Sequence, residues 1–87
     1  MYVIMVYDIK EKRVSKILKI ARKYLNWIQN SVLEGELTNS QFKRLKNEVK
    51  KKIKEEEDYV LYYILNSSSL VRKESQGTSK NEITNFL

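Results

Sequence analysis

The chain has 87 residues, with 17 Lys and Arg against 11 Asp and Glu, so its formal net charge is +6. It contains no His and no Cys, which excludes a disulfide framework, a thiolate site, a Ser-His-Asp triad and histidine acid–base chemistry. Carboxylates and water remain as metal ligands, and these suit Mg²⁺ or Mn²⁺ rather than zinc.

The first segment is a β-favouring apolar run from Met1 to Tyr7 that stops at one carboxylate, Asp8. Such a run predicts a strand that is buried on both faces. An acid at the end of a buried strand is positioned by rigid backbone, so Asp8 is the first candidate for chemistry. A structural role competes equally, because Asp8 and Glu11 have the spacing of a helix N-cap and its capping-box partner.

The next two segments differ in periodicity. From about Arg13 to Leu25 the pattern is helical. From Trp27 to Leu37 it is strand-like, and either one bent strand or two short strands fits, with a bend or tight hairpin at Asn30-Ser31 and a bulge at Gly35. The apolar positions that share one face of the first helix are Val14, Ile17, Leu18, Ala21 and Leu25.

A second helix is predicted after Thr38, because Gln41 follows it at capping-box spacing. The outer face of this helix carries a run of Lys and Arg, which is either a solvated surface or a track for a phosphate backbone. The positions expected to be buried are Phe42, Leu45, Val49 and Ile53.

The last part of the chain reads as a strand, a loop and a tail. The apolar run from Tyr59 to Leu65 predicts another buried strand, and residues 70–76 are interpreted as a short edge strand. Residues 77–87 form a polar stretch with an apolar end, which indicates a tail that docks on another surface, such as a second subunit.

The order strand, helix, strand, strand, helix, strand predicts an α+β fold of the ferredoxin-like βαββαβ type, in one domain spanning residues 1–87. Both helices would cover one face of an antiparallel sheet. The other face then needs a cover, which a face-to-face dimer would supply.

A metal site needs more than Asp8, because Mg²⁺ prefers octahedral coordination and one carboxylate binds it weakly. A second acid or a symmetry-related copy is required. Glu11 and Glu34 are candidates within the chain, although exposed solubilising acids are the more usual role for both. For nucleic acid, we take Arg13, Lys16 and Arg22 as candidate contacts, with Arg13 near Asp8 at the start of a helix.

Four segments occur in order along the chain: Tyr7-Asp8-Ile9, residues 28–37 with the pattern I-Q-x-S-V, residues 58–63 and the tail 77–87. Together these segments resemble the CRISPR-associated Cas2 family. Leu33 stands where the family often has Phe. The resemblance implies a ferredoxin-like homodimer in which the C-terminal strand, residues 77–87, pairs with the partner's sheet and the two copies of Asp8 face each other.

The resemblance also implies a function. Family members are described as metal-dependent endonucleases on single-stranded RNA or double-stranded DNA, and as the central dimer of the complex with the Cas1 integrase that inserts new CRISPR spacers. We therefore expect an adaptation protein with Mg²⁺ (or Mn²⁺) held by Asp8. A non-catalytic DNA-binding scaffold and a toxin-type ribonuclease of the same fold are the alternatives.

The sequence also predicts a location. No apolar run approaches the length of a membrane span, and the first residues lack the basic leader of a signal peptide. We therefore expect a cytoplasmic protein without a membrane partner.

Overall fold

A computed structural model describes residues 1–77 of the chain. The four strands are β1 (Tyr2–Asp8), β2 (Asn26–Gln29), β3 (Val32–Glu36) and β4 (Tyr59–Leu65), and the helices are α1 (Glu11–Ala21) and α2 (Asn39–Lys50). A single 3₁₀ turn, Ser68–Leu70, follows β4. None of the helices in this part of the chain is long and apolar enough to span a membrane.

The strands form one sheet in the order β2-β3-β1-β4. Every neighbouring pair is antiparallel, which confirms the predicted α+β architecture with its ferredoxin-like strand order. Strand β1 is central, so both edges of its backbone are hydrogen-bonded along most of its length. Residues 78–87, which are all of the predicted tail except its first residue, lie outside the described residues.

The core lies between the helices and one face of the sheet. On β1 the odd-numbered side chains are buried and the even-numbered ones are not, because successive side chains of a strand point to opposite faces. In the single chain, the prediction that β1 is buried on both faces is therefore wrong. The largest fully buried side chains are Met5, Ile17, Leu33, Leu45 and Val3.

The sheet face away from the helices is called the open face below. It carries the even-numbered residues of β1 and the β4 residues directly opposite them. Two of these β4 residues, Tyr59 and Tyr63, are 62% and 55% exposed. Strand β4 is an edge strand, so the prediction that it is buried is wrong. Its alternation is as predicted, with Tyr59, Leu61, Tyr63 and Leu65 on one side.

The region from Trp27 to Leu37 consists of two short strands rather than one bent strand. Asn30 adopts a left-handed backbone conformation, φ 36°, in the tight turn between them, which Asn tolerates better than most residues. The irregular pairing falls between Trp27 and Gln29, not at Gly35. Gly35 instead sits where a Cβ would come within 3.4 Å of Leu25.

Helix α2 begins with the predicted capping box. The Thr38 hydroxyl accepts from the Gln41 amide at 3.1 Å, and the Gln41 side chain accepts from the Thr38 amide at 2.9 Å. The predicted apolar stripe of this helix packs into the core. The predicted edge strand over residues 70–76 is not present, since residues 71–76 have no regular structure.

One buried carboxylate connects three distant parts of the fold. The side chain of Asp58, which is 0% exposed, accepts from Arg13 Nε at 2.6 Å and from a second Arg13 nitrogen at 3.0 Å. It also accepts from the backbone amides of Lys10 and Lys54, each at 2.9 Å. Arg13 additionally pairs with Glu57 at 2.8 Å. These bonds tie the β1–α1 junction to the segment that enters β4.

The same bonds set the charge of this cluster. The Arg13 guanidinium, with the two amides, holds the pKa of Asp58 well below its usual range, although burial opposes the shift. The carboxylates in turn raise the pKa of Arg13. Asp58 therefore stabilises the fold fully above about pH 4, the ordinary aspartate pKa, and this contribution is lost as pH falls towards its folded pKa.

We predict that Asp58→Asn lowers the melting temperature by about 10 °C or more at pH 7, because it breaks a buried ion pair. The gap in stability between wild type and variant should narrow below about pH 4, because Asp58 of the unfolded wild type binds a proton there while the folded protein still keeps the carboxylate charged. Thermal and urea unfolding between pH 7 and pH 3 measure both effects. Glu55→Gln, which removes an exposed charge nearby, is the control, and an equal loss there would contradict the assignment.

Candidate functional site

Asp8 is the last residue of β1 and its side chain is exposed. It lies on the open face of the sheet, directly opposite Tyr59 of β4 in the antiparallel register. The neighbouring loop is fixed by the Lys10 amide, which donates to Asp58. The carboxylate is thus presented to solvent from a rigid strand end, as the sequence predicts.

The alternative role for Asp8, a helix cap, is wrong. Helix α1 begins after Lys10, which occupies the N-cap position in an extended conformation, and no side chain caps this helix. Among residues 1–77, the Asp8 side chain has no hydrogen bond or ion pair. Its carboxylate is therefore available to bind a ligand.

Neither candidate helper joins Asp8 in a closed metal site. Glu34 lies directly opposite Ile4 in the β1–β3 register. Ile4 is four residues before Asp8 on β1, which corresponds to roughly 13 Å along the strand. The Glu34 side chain is 7% exposed and pairs with Lys73. Glu11 is exposed in the first turn of α1, so its role as a helper stays a prediction.

The part of the chain that the structure describes contains no group of three acidic side chains that could hold a metal. A dedicated cage of protein ligands is therefore not available within these residues. One or two carboxylates with waters and substrate phosphates are nonetheless a usual donor set for Mg²⁺. The free Asp8 carboxylate fits such a shared site and does not fit a closed one.

The three cations predicted to contact nucleic acid occupy different environments. Arg13 is 12% exposed and engaged by Asp58 and Glu57, so the structure gives it a stabilising part near Asp8. Lys16 is exposed on α1. Arg22 follows α1 at the end away from Asp8, with its guanidinium carbon 5.4 Å from the centroid of the Trp27 ring. Their contacts with nucleic acid stay predictions.

Helix α1 and the residue that follows it also carry a cationic surface. Lys19 and Arg22 line a shallow depression of about 350 Å³ together with Ser15 and Leu18. This depression begins at Ser15, about one turn into α1, and extends to Arg22 just after the end of the helix. The structure therefore brings Arg13 close to Asp8 and leaves Arg22 apart from it.

Two residues of this region were not singled out from the sequence. Asp58 closes an acidic run and looks like a surface charge, because its partner Arg13 is 45 positions away in the sequence. Tyr59 looks like one more apolar residue of a buried strand. Its place beside Asp8 follows only from the β1–β4 register, which a single sequence does not reveal.

Comparisons with known proteins agree on one family. The model of the CRISPR associated protein Cas2 family matches residues 1–73. A relative from Thermotoga maritima, named CRISPR-associated endoribonuclease Cas2, is 57% identical over 82 residues, which cover 94% of this chain and 94% of the relative. The similarity thus includes Asp8, Arg13 and Asp58 within the matched range.

Solved structures resemble the chain in the same way. A crystal structure described as that of cas2 has a TM-score of 0.84 and 41% identity, covering 92% of this chain and 90% of the other. The crystal structure of Cas2 from Streptococcus pyogenes has a TM-score of 0.78 and 29% identity, covering 88% of this chain and 100% of the other.

We predict that Asp8→Ala and Asp8→Asn change the free energy of unfolding by no more than about 0.5 kcal/mol, because the side chain has no structural partner. Thr38→Ala, which removes a genuine N-cap, should cost about 1 kcal/mol. Urea unfolding of the three variants beside wild type is the measurement. A loss in Asp8→Ala that matches the Thr38→Ala loss and is absent in Asp8→Asn would restore the capping role.

Proposed function

The chain belongs to the CRISPR associated protein Cas2 family, and we propose that it is a metal-dependent endoribonuclease that acts as a homodimer. The observation that carries the proposal is the free carboxylate of Asp8, exposed at the end of a rigid strand with no structural task. Relatives that are 57% and 51% identical carry the name CRISPR-associated endoribonuclease, which supports hydrolysis of a phosphodiester as the reaction.

The dimer follows from the donor set. One chain offers Asp8 without two further acids beside it among the described residues. A second copy supplies a second Asp8 if the two carboxylates meet near the symmetry axis. Two such like charges repel each other at close range unless a cation lies between them, which gives a physical reason for a divalent ion at this point.

In this proposal the two Asp8 carboxylates would hold Mg²⁺, with Mn²⁺ as a substitute, together with water and phosphate oxygens of the substrate. The bound ion would polarise the phosphate and lower the pKa of a coordinated water. Asp8 fixes where the phosphate binds. The Asp58 cluster keeps the strand end in place, so its contribution to the reaction is positional.

We also propose a role in CRISPR adaptation, in which the dimer binds double-stranded DNA and the Cas1 integrase. The net charge of +6 and the exposed lysines of α1 and α2 support a polyanionic partner. If the metal site proves inactive, this binding role remains as the principal function of the chain.

We predict that wild type cleaves single-stranded RNA in Mg²⁺ and that Asp8→Asn lowers the rate by roughly 100-fold or more, because the ion loses its charged ligand. Cleavage of labelled RNA with and without EDTA measures this. Light scattering should show a dimer for both proteins. Glu55→Gln, which removes an exposed charge outside the proposed site, serves as the control for nonspecific loss.

Two outcomes would contradict the enzymatic proposal. The first is equal cleavage by wild type and Asp8→Asn, which would point to a contaminating nuclease. The second is a monomeric protein at micromolar concentration that retains full activity, because the shared site would then be unnecessary.

We predict that binding of duplex DNA weakens steeply with salt and that Lys16→Ala reduces the slope of log K against log salt by about 1 without changing the melting temperature. Arg13→Ala should lower the melting temperature, because it leaves Asp58 buried without its partner. Fluorescence anisotropy between about 50 and 200 mM salt gives the slopes. A reduced slope in Arg13→Ala with unchanged stability would instead place Arg13 in the DNA interface.

A further inference from the structure

Glu34 is a buried carboxylate on the open face of the sheet. It lies on β3, directly opposite Ile4 of the central strand and Asn26 of β2. Its side chain is 7% exposed within a single chain, whereas Asp8, roughly 13 Å further along β1, is exposed. The part of the open face around Glu34 is therefore covered by the chain's own residues, before any second subunit is added.

The Glu34 carboxylate has two partners. The Lys73 ammonium donates to Glu34 Oε2 and forms an ion pair with it. Burial, a hydrogen bond to Glu34 and the charges of Glu34 and Glu36 together raise the pKa of Tyr2 to about 12, so the Tyr2 hydroxyl keeps its proton and donates it to Glu34. Burying a carboxylate is costly unless it is paired and hydrogen-bonded. Releasing Lys73 would leave a buried charge without its cation, and this cost favours the paired state.

Lys73 belongs to a segment that has few other attachments. Strand β4 ends at Leu65, and residues 71–76 have no regular structure. Within residues 1–77, the part 71–77 makes one ion pair with another element, from Lys73 to Glu34, and one internal ion pair between Arg72 and Glu74. Because β1 lies between β4 and β3 in the sheet, the Lys73 contact takes the segment from an edge strand to the far side of the central strand.

Without this contact the segment could reach most of the open face. Residues 66–77 extend to about 40 Å at roughly 3.4 Å per residue, which is several times the roughly 13 Å between the Glu34 and Asp8 positions along β1. The exposed side chains of Asp8 and Tyr59 show that residues 71–77 do not lie over them. The position of Lys73 therefore decides which part of the open face the chain covers itself.

We propose that Glu34 is a positioning residue, whose ion pair with Lys73 holds residues 71–77 beside β3 and keeps the Asp8 end of the open face clear for a second copy of this chain. This inference rests on the homodimer proposed above and adds to it a reason why the subunits meet at Asp8. A second copy can contact only a surface that the first chain leaves uncovered. Around Glu34 that surface is occupied by the chain's own segment, and at Asp8 it is not.

Glu36 provides a matched control on the same strand. It is two residues from Glu34, so its side chain leaves the same face of the sheet. It is 59% exposed, and its ion pair is with the amino group of Met1 and not with Lys73. A general effect of removing an acid from this part of β3 would appear in both variants, whereas release of the segment requires the change at Glu34.

The first test measures access to the segment with a protease that cuts after Glu. Glu74 is 79% exposed and follows Lys73 directly, so cleavage after it reports whether the segment is held. Under native conditions we expect Glu34→Gln to raise the rate of this cleavage about fivefold, with Glu36→Gln within about twofold of wild type. Cleavage within residues 55–57, which are exposed glutamates, is the internal standard.

A double-mutant cycle tests whether the effect passes through Lys73. Lys73→Met alters the sequence beside the cut, so it is compared only with the double variant Glu34→Gln/Lys73→Met, which has the same cut site. In the Lys73→Met background, Glu34→Gln should leave the cleavage rate unchanged, because both changes remove one contact. Lys73→Arg keeps the positive charge and should preserve the roughly fivefold response to Glu34→Gln.

The second test measures the subunit contact. Sedimentation equilibrium gives the Kd of the dimer for wild type, Glu34→Gln and Glu36→Gln. We expect the Kd of Glu34→Gln to rise about threefold, because a released segment competes with the second copy for the Asp8 end and lowers the fraction of chains that can associate. The Kd of Glu36→Gln should stay within about twofold of wild type.

The outcomes separate this inference from the proposed function. Equal cleavage after Glu74 in Glu34→Gln and Glu36→Gln, or an undiminished effect of Glu34→Gln in the Lys73→Met background, would overturn the positioning role. Faster cleavage with an unchanged dimer Kd would overturn the link to the subunit contact and leave the homodimer intact. A monomeric wild type would reject the homodimer and that link with it, and the protease test would still decide whether Glu34 holds the segment.

Discussion

The geometry of the candidate site depends on one buried carboxylate. Burying an ionised Asp is costly unless every lone pair is satisfied, and Asp58 meets this condition with two bonds from Arg13 and two from backbone amides. Its partners come from the β1–α1 junction, from α1 and from the segment after α2. Three parts of the chain are thus fixed at one point, next to the end of the sheet where Asp8 emerges.

The strand order explains why this end of the sheet is suited to chemistry. Strand β1 is central, so its neighbours hold its backbone from both sides, whereas β4 is an edge strand with two well-exposed tyrosines. A rigid carboxylate therefore stands beside side chains that are exposed in the single chain and available to a second subunit. The helices stabilise the opposite face and leave this one open.

The sequence predicted those features that depend on local pattern. The Thr38 capping box, the apolar stripes of both helices and the order of elements each rest on short spacings, and the structure confirms them. The features it did not predict depend on contacts between distant segments. The burial of β4 was misjudged because an edge strand and a central strand have the same composition, and the helix-cap role of Asp8 failed because α1 begins at Glu11.

The same limit applies to the charged residues of the site. From the sequence, Arg13 is a free cation at a helix start, and its partner Asp58 is one acid among four in a row. Only the fold shows that these two charges neutralise each other. The cationic surface available to a polyanion is consequently made by exposed lysines and by arginines such as Arg22, and not by Arg13.

Asp8 and Asp58 have different roles, and this difference has a thermodynamic consequence. Asp58 is fully engaged within the chain, whereas Asp8 is free and would bind an ion weakly by itself. In the proposed dimer the ion and the second subunit meet at the same pair of carboxylates. Because the coupling free energy between two binding events is reciprocal, ion binding must raise the affinity of the two subunits for each other by the same factor by which dimer formation raises the affinity for the ion. In the proposed dimer, activity and assembly are therefore linked through the free carboxylate of Asp8.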